Sequence, residues 1–106
     1  MAIIEITNFE EQVLKAPGTV MVDYLAPWCG YCRRLTPAVE QVAADYEGKL
    51  QVVKVDIDDL PAVADEYQVE TIPTLMLFRE GKNIAEIVNP ESRAKIVDWL
   101  KENGVE

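Results

Sequence analysis

The most specific chemistry in this 106-residue chain rests on two cysteines, Cys29 and Cys32, within Trp28-Cys29-Gly30-Tyr31-Cys32. They fall between a strand-like run and a long helical pattern. Residues three apart at a helix start face the same side of its first turn, so the spacing suits an intrachain disulfide. A helix N-terminus offers free N–H groups and the positive end of a dipole, both of which favour an anion. A thiol at Cys29 is therefore expected to ionise more readily than free cysteine, and the thiolate is the reactive form. Two other readings stand beside this one: half of a zinc site, or a pair of inert buried thiols. Zinc needs two further ligands, and the chain has no other cysteine and no histidine. No metal site is expected. The absence of histidine also removes Ser-His-Asp and Cys-His catalysis and haem ligation by imidazole.

Composition bounds the setting. Apolar residues make up 49% and charged residues 27%, as in an ordinary globular chain. Ten basic against nineteen acidic side chains give a net charge of -9. That sign opposes nucleic acid and anionic membrane surfaces as partners. No run approaches the roughly 20 apolar residues of a membrane span. Met1–Glu5 has no basic n-region, so no signal peptide is visible, and the expected location is cytoplasmic, where thiols stay reduced. Residues 1–106 read as one domain, without repeats or linkers.

The elements that must position the cysteines follow from periodicity. Ala2 to Ile6 is short and aliphatic and reads as a strand. Asn8 is the expected N-cap of a first helix, answered by Glu11, with Phe9, Val13 and Leu14 as its apolar stripe and Pro17-Gly18 as its stop. Thr19 to Leu25 is a strand. A long helix runs from Cys29 to about Tyr46, with Pro37 expected to kink it and Gly48 after it. Leu50 to Ile57 is the third strand. Asp58 or Asp59 is the expected cap of a short helix reaching Tyr67, with Pro61 in its first turn. Thr74 to Phe78 and Ile84 to Val88 form a hairpin across Glu80-Gly81-Lys82. Asn89 or Ser92 caps a last helix that presents Ile96, Val97 and Leu100. Alternating strands and helices imply parallel pairing early, and the hairpin adds an antiparallel end. The expected class is α/β: three α/β/α layers around a mixed five-stranded sheet flanked by four helices.

Three stretches make the chain resemble the thioredoxin family over nearly its whole length: Val22-Asp23-Tyr24-Leu25-Ala26-Pro27-Trp28-Cys29-Gly30-Tyr31-Cys32, Lys54-Val55-Asp56-Ile57-Asp58, and Ile72-Pro73-Thr74-Leu75. The resemblance implies a thioredoxin fold, with Cys29 as attacking and Cys32 as resolving thiol. Asp23 sits in an apolar strand, where desolvation raises a carboxyl pKa toward neutrality. The resemblance makes it the proton acceptor for Cys32. Lys54 resembles the family's lysine near that acid, its alternative being a solvated strand residue. Pro73 looks like the family's cis-proline, presenting Ile72 backbone groups to an extended substrate segment. Trp28, with Gly30 and Tyr31, is expected to form part of the substrate platform.

Three departures stand out. Tyr31 replaces the proline usual between these cysteines. Its restored N–H is expected to point at the Cys29 sulfur and raise the reduction potential, by roughly 30–65 mV for a charge-assisted hydrogen bond. Arg33 and Arg34 follow Cys32, where the family more often has one lysine. Asn89-Pro90 occupies the place of a small flexible residue on the docking surface, so Asn89 is taken as a substrate contact.

The expected function is reduction of protein disulfides through a mixed disulfide, with no bound cofactor and electrons drawn from a separate, thioredoxin-reductase-type enzyme. The expected partners are that reductase and disulfide-containing proteins, met by a monomer. The alternatives are a disulfide oxidant or isomerase, or a non-redox scaffold subunit, which would survive Cys29→Ser.

Overall fold

The computed structural model describes residues 3–106. Five strands form one sheet: β1 (Ile4–Glu5), β2 (Thr19–Leu25), β3 (Gln51–Asp56), β4 (Thr74–Arg79) and β5 (Lys82–Val88). Their order is β1-β3-β2-β4-β5. β1, β3 and β2 are mutually parallel, β4 is antiparallel to β2, and β5 is antiparallel to β4. The α-helices are α1 (Gly30–Asp45), α2 (Pro61–Glu66) and α3 (Arg93–Glu102). A fourth helical segment, Glu10–Leu14, is a single π-helical turn.

Strand alternation divides the core into two layers. Met21, Leu75 and Leu77 face α1 and α3, packing on Leu35, Val39, Val42, Ile96 and Leu100. Val20, Val22, Tyr24, Met76 and Phe78 face the other way, against Phe9, Val13 and the residues around α2. There the rings of Phe9, Tyr67 and Phe78 meet with centroids 5.1–5.5 Å apart. The two-sided burial of β2 and β4 accounts for their near-continuous apolar sequences.

Topology gathers four loops at one end of this sheet. β2 and β3 are parallel and paired up to Leu25 and Asp56, so the segments after both emerge together. β4 is antiparallel to β2, with Tyr24 opposite Thr74, which brings the segment before β4 to the same end. Thr74 also pairs with Val88, adding the segment after β5.

Several local expectations are corrected. Within the described residues the first strand is only Ile4–Glu5, and Ala2 lies outside them. Asn8 Oδ1 does accept from the Glu11 N–H at 3.1 Å. The reciprocal acceptor is Gln12, whose Oε1 takes the Thr7 and Asn8 N–H groups. Glu11 turns outward to Lys15, one turn along. Neither Asp58 nor Asp59 caps α2, whose N-cap is Leu60 without a side-chain acceptor. Asp56 governs that turn instead, taking the Asp58 N–H on its side chain and the Asp59 and Leu60 N–H groups on its carbonyl. Pro61 already removes one unpaired donor from the start of α2. Ser92, not Asn89, caps α3, accepting from the Lys95 N–H. As expected, α1 holds Pro37 inside it, running from Gly30 to Asp45 between Cys29 and Tyr46 as caps. β5 begins at Lys82, because Glu80 and Gly81 alone make the turn, both at positive φ.

Candidate active site

Ala26 to Cys29 forms the turn between β2 and α1, closed by the Cys29 N–H donating to the Ala26 carbonyl at 3.1 Å. Cys29 is the N-cap of α1, with extended backbone angles. An N-cap side chain is placed to accept from the free N–H groups of the first turn. Here the acceptor is sulfur: the Cys32 N–H donates to Cys29 Sγ at 3.1 Å. Cys29 and Cys32 are joined as a disulfide, with Cα atoms 5.3 Å apart. They pack with Ala26, and Leu25, Ile57 and Ile72 close around them.

The donor on the sulfur corrects the expectation for Tyr31. Among the described residues, the N–H that reaches Cys29 Sγ belongs to Cys32, the third helical position, and not to Tyr31, the second. Any residue at position 31 would leave that donor in place. Accessibility barely separates the two cysteines, 7% exposed at Cys29 and 4% at Cys32. What separates them is position: Cys29 holds the helix end and its Sγ lies 3.8 Å from the Ile72 carbonyl oxygen. Cys32 lies one turn inside, its own carbonyl accepting from the Thr36 hydroxyl.

The Ile72–Pro73 peptide bond is cis. The Thr74 hydroxyl donates to the Thr71 carbonyl and fixes this loop. Asn89 sits at positive φ directly after β5, and its N–H donates to the Pro73 carbonyl at 2.8 Å. The two loops named separately from the sequence are thus joined by a backbone hydrogen bond.

Asp23 is 3% exposed and follows Met21 by two residues, so it points to the α1 side of the sheet. Two residues further on the same face, Leu25 packs against the dithiol cluster. Burial pushes the Asp23 carboxyl up to about 7, and the nearby charge of Lys54 pulls it partly back. Its Oδ1 is buried without a hydrogen-bond partner. Lys54 stands directly across from Asp23 in the β2–β3 register and is half-buried. The pair does not close to ion-pair distance among the described residues.

Trp28 is 65% exposed beside the dithiol, and its Nε1–H donates to Asp58 Oδ2 at 2.9 Å. This bond ties the β2–α1 and β3–α2 loops together. Asp58 is a site residue that sequence reasoning missed, since its partner lies 30 residues away. Tyr31 is 57% exposed, with the Arg34 guanidinium 4.7 Å over its ring. Arg33 Nη1 donates to the Pro27 carbonyl at 2.7 Å. Gly30 is exposed at the first position of α1. As for metal ligands, the acidic groups that converge among the described residues are Glu5, Asp56 and Asp59, with oxygens within 4.8 Å of one another. Asp56 already accepts from Asp58, and neither cysteine belongs to this group. No described helix is long and apolar enough to cross a membrane.

Such an arrangement can do thiol–disulfide exchange: a sulfur at a helix end, a second sulfur in bonding reach, a buried carboxyl that ionises near neutrality, and a backbone edge at Ile72. Comparison with known proteins agrees. The thioredoxin family model matches residues 1–102. The chain is 44% identical over 103 residues to a thioredoxin of Pseudomonas aeruginosa, covering 95% of each protein. It is 39% identical over 97 residues to thioredoxin 1 of Nostoc sp., covering 92% of this chain and 91% of that relative. It is 38% identical over 100 residues to a thioredoxin of Staphylococcus aureus, covering 94% and 96%.

Proposed function

Since the chain belongs to the thioredoxin family, we propose the following division of labour in its dithiol–disulfide exchange. The protein is a dithiol–disulfide oxidoreductase that reduces protein disulfides, and the family implies disulfide-bearing protein substrates and a reductase partner. In the reduced form, the Cys29 thiolate attacks one sulfur of a substrate disulfide. A Cys29–substrate disulfide forms and the other substrate sulfur leaves as a thiolate. Cys32 then attacks Cys29 Sγ, the mixed disulfide breaks, and the second substrate thiolate leaves. The Cys29–Cys32 disulfide carries away the two electrons' worth of oxidation. The second attack is intramolecular, which gives it a very large effective concentration.

Asp23 accepts the proton that Cys32 must lose, and Lys54 tunes that carboxyl across the strand. Ile72 presents its carbonyl beside Cys29 to an extended substrate segment, with Trp28, Gly30, Tyr31, Pro73 and Asn89 around it. No cofactor is bound, electrons come from a thioredoxin-reductase-type enzyme, and the protein works as a monomer in the cytoplasm. The observation that supports the reading most is Cys29 as N-cap of α1, with Cys32 N–H on its sulfur. The test is alkylation of the reduced protein near neutral pH followed by peptide mapping. Cys29 is expected to be labelled first, and Cys29→Ser to abolish disulfide reduction. First labelling at Cys32 would reverse the two roles, and activity surviving in Cys29→Ser would restore the scaffold reading.

A further inference from the structure

Two guanidinium groups lie beside the dithiol of a protein whose net charge is -9. Arg33 is folded back on the β2–α1 loop, with Nη1 on the Pro27 carbonyl. Arg34 is stacked over the exposed Tyr31 ring. Among the described residues neither has a carboxylate within ion-pair distance, whereas the exposed Arg93 and Lys15 each have one. Asp58 stands on the Trp28 side, held by the indole N–H, and Glu91 lines a small cleft together with Tyr31, Arg34, Asn89 and Pro90.

We propose that Tyr31, Arg33 and Arg34 select disulfide partners that carry an aspartate or glutamate next to the target cysteine, on the side that lies along α1. This rests on the oxidoreductase reading and adds a substrate class to it. Tyr31 holds the Arg34 guanidinium in place, so less side-chain freedom is lost when a carboxylate docks on it. The overall negative charge does not cancel the effect under ordinary salt. The Debye length is about 10 Å at 0.1 M, so acids on the far side of the molecule are screened while guanidiniums in contact with the partner are not. Complementary charge at a contact mainly raises the association rate and rejects like-charged competitors. The same surface should disfavour a lysine or arginine in that place.

The test uses the reduced full-length protein and disulfide peptides that differ only in the residue flanking the cysteine: Glu, Gln or Lys. The flank is placed before the cysteine in one set and after it in another. The readout is the second-order rate of peptide reduction. In one of the two sets the Glu peptide is expected to react about three- to tenfold faster than the Gln peptide at 0.1 M salt, with Lys slowest, and the spread is expected to collapse near 1 M salt. Arg34→Glu is expected to invert the order, and Arg34→Lys to retain its direction with a smaller spread. The order within each protein is compared, so a general change in activity does not mimic the effect. Equal rates for the three flanks in both sets, or a Lys preference in the unsubstituted protein, overturn the inference and leave the oxidoreductase reading intact. If none of the peptides is reduced, both fall.

Discussion

Asp23 gains protons where an exposed aspartate would lose them, and both stability and rate should show it. Unfolded, it ionises at about pH 4; folded, burial lifts it to about 7. Between those values the unfolded chain has released a proton that the native protein retains. The contribution of Asp23 to native stability is therefore largest below about pH 4, falls as pH rises toward 7, and is flat above that. A gap of this size is worth on the order of 4 kcal/mol. Asp23→Asn is expected to gain roughly 2–4 kcal/mol over the parent at pH 8 and little at pH 4, measured by urea unfolding at both. The same substitution should slow resolution of the mixed disulfide and remove the rise in rate across pH 6 to 8 that a base ionising near 7 would give. An unchanged pH profile in Asp23→Asn would remove the carboxylate from the mechanism. Lys54 is the opposing influence, since its charge lowers the Asp23 value. Lys54→Met is expected to move that rise to higher pH, and a profile that stays in place would reduce Lys54 to a solvated strand residue.

At the scale of elements, the hairpin β4–β5 rests on the end of the first helical segment. Gly81 and Gly48 share a left-handed φ, near +78° and +85°. A Cβ at Gly48 would meet nothing within 4 Å, whereas one at Gly81 would lie 2.9 Å from the Leu14 carbonyl oxygen. Gly48→Ala therefore reports backbone strain alone, about 1–2 kcal/mol. Gly81→Ala adds a contact with backbone that cannot turn aside and is expected to cost at least about 1 kcal/mol more by chemical denaturation. Equal losses would mean the hairpin is free to lift from Leu14. These elements also show what a sequence can reveal. The long helix after Cys29 and the strand holding Asp23 were legible because residue type and short-range spacing determine them, whereas the cis proline before Thr74 was implied only by the resemblance to the thioredoxin family. The Asp58 bond to Trp28, the Asn89 N–H on Pro73 and the replacement of Asp58 or Asp59 by Asp56 at the α2 turn were not legible. Each depends on which loops the sheet order brings together, and local patterns do not encode that order. The Tyr31 N–H was misjudged for a related reason: which first-turn donor meets an N-cap sulfur is set by side-chain geometry, not by which donor a substitution restores.

Across the whole molecule, the chemistry sits where parallel β2 and β3 end and antiparallel β4 begins. Ligand sites of open α/β sheets gather outside the carboxyl ends of the strands. Here that end collects the Cys29 turn, the Asp58 loop, the Ile72–Pro73 bond and Asn89. The sheet face away from α1 is given over to packing and holds the Tyr24 hydroxyl. It is fully buried without a partner, and burial, then Tyr67, Glu66 and Glu86, raise its pKa.

The disulfide joins residues only three apart. A ring this small restrains an unfolded chain far less than a long one does. The oxidised and reduced proteins are therefore expected to unfold in urea with the same slope and to differ only in midpoint, because the slope follows surface exposed. Different slopes would show that the bond compacts the denatured chain after all. With equal slopes, the denaturation curve becomes a voltmeter. The gap between the two unfolding free energies, at about 30 mV for each 1.4 kcal/mol, measures how far folding moves the potential of these two cysteines from its value in a loose peptide. A substitution far from the sulfurs that widens the gap has shifted the redox balance, and one that moves both curves together has changed only the scaffold.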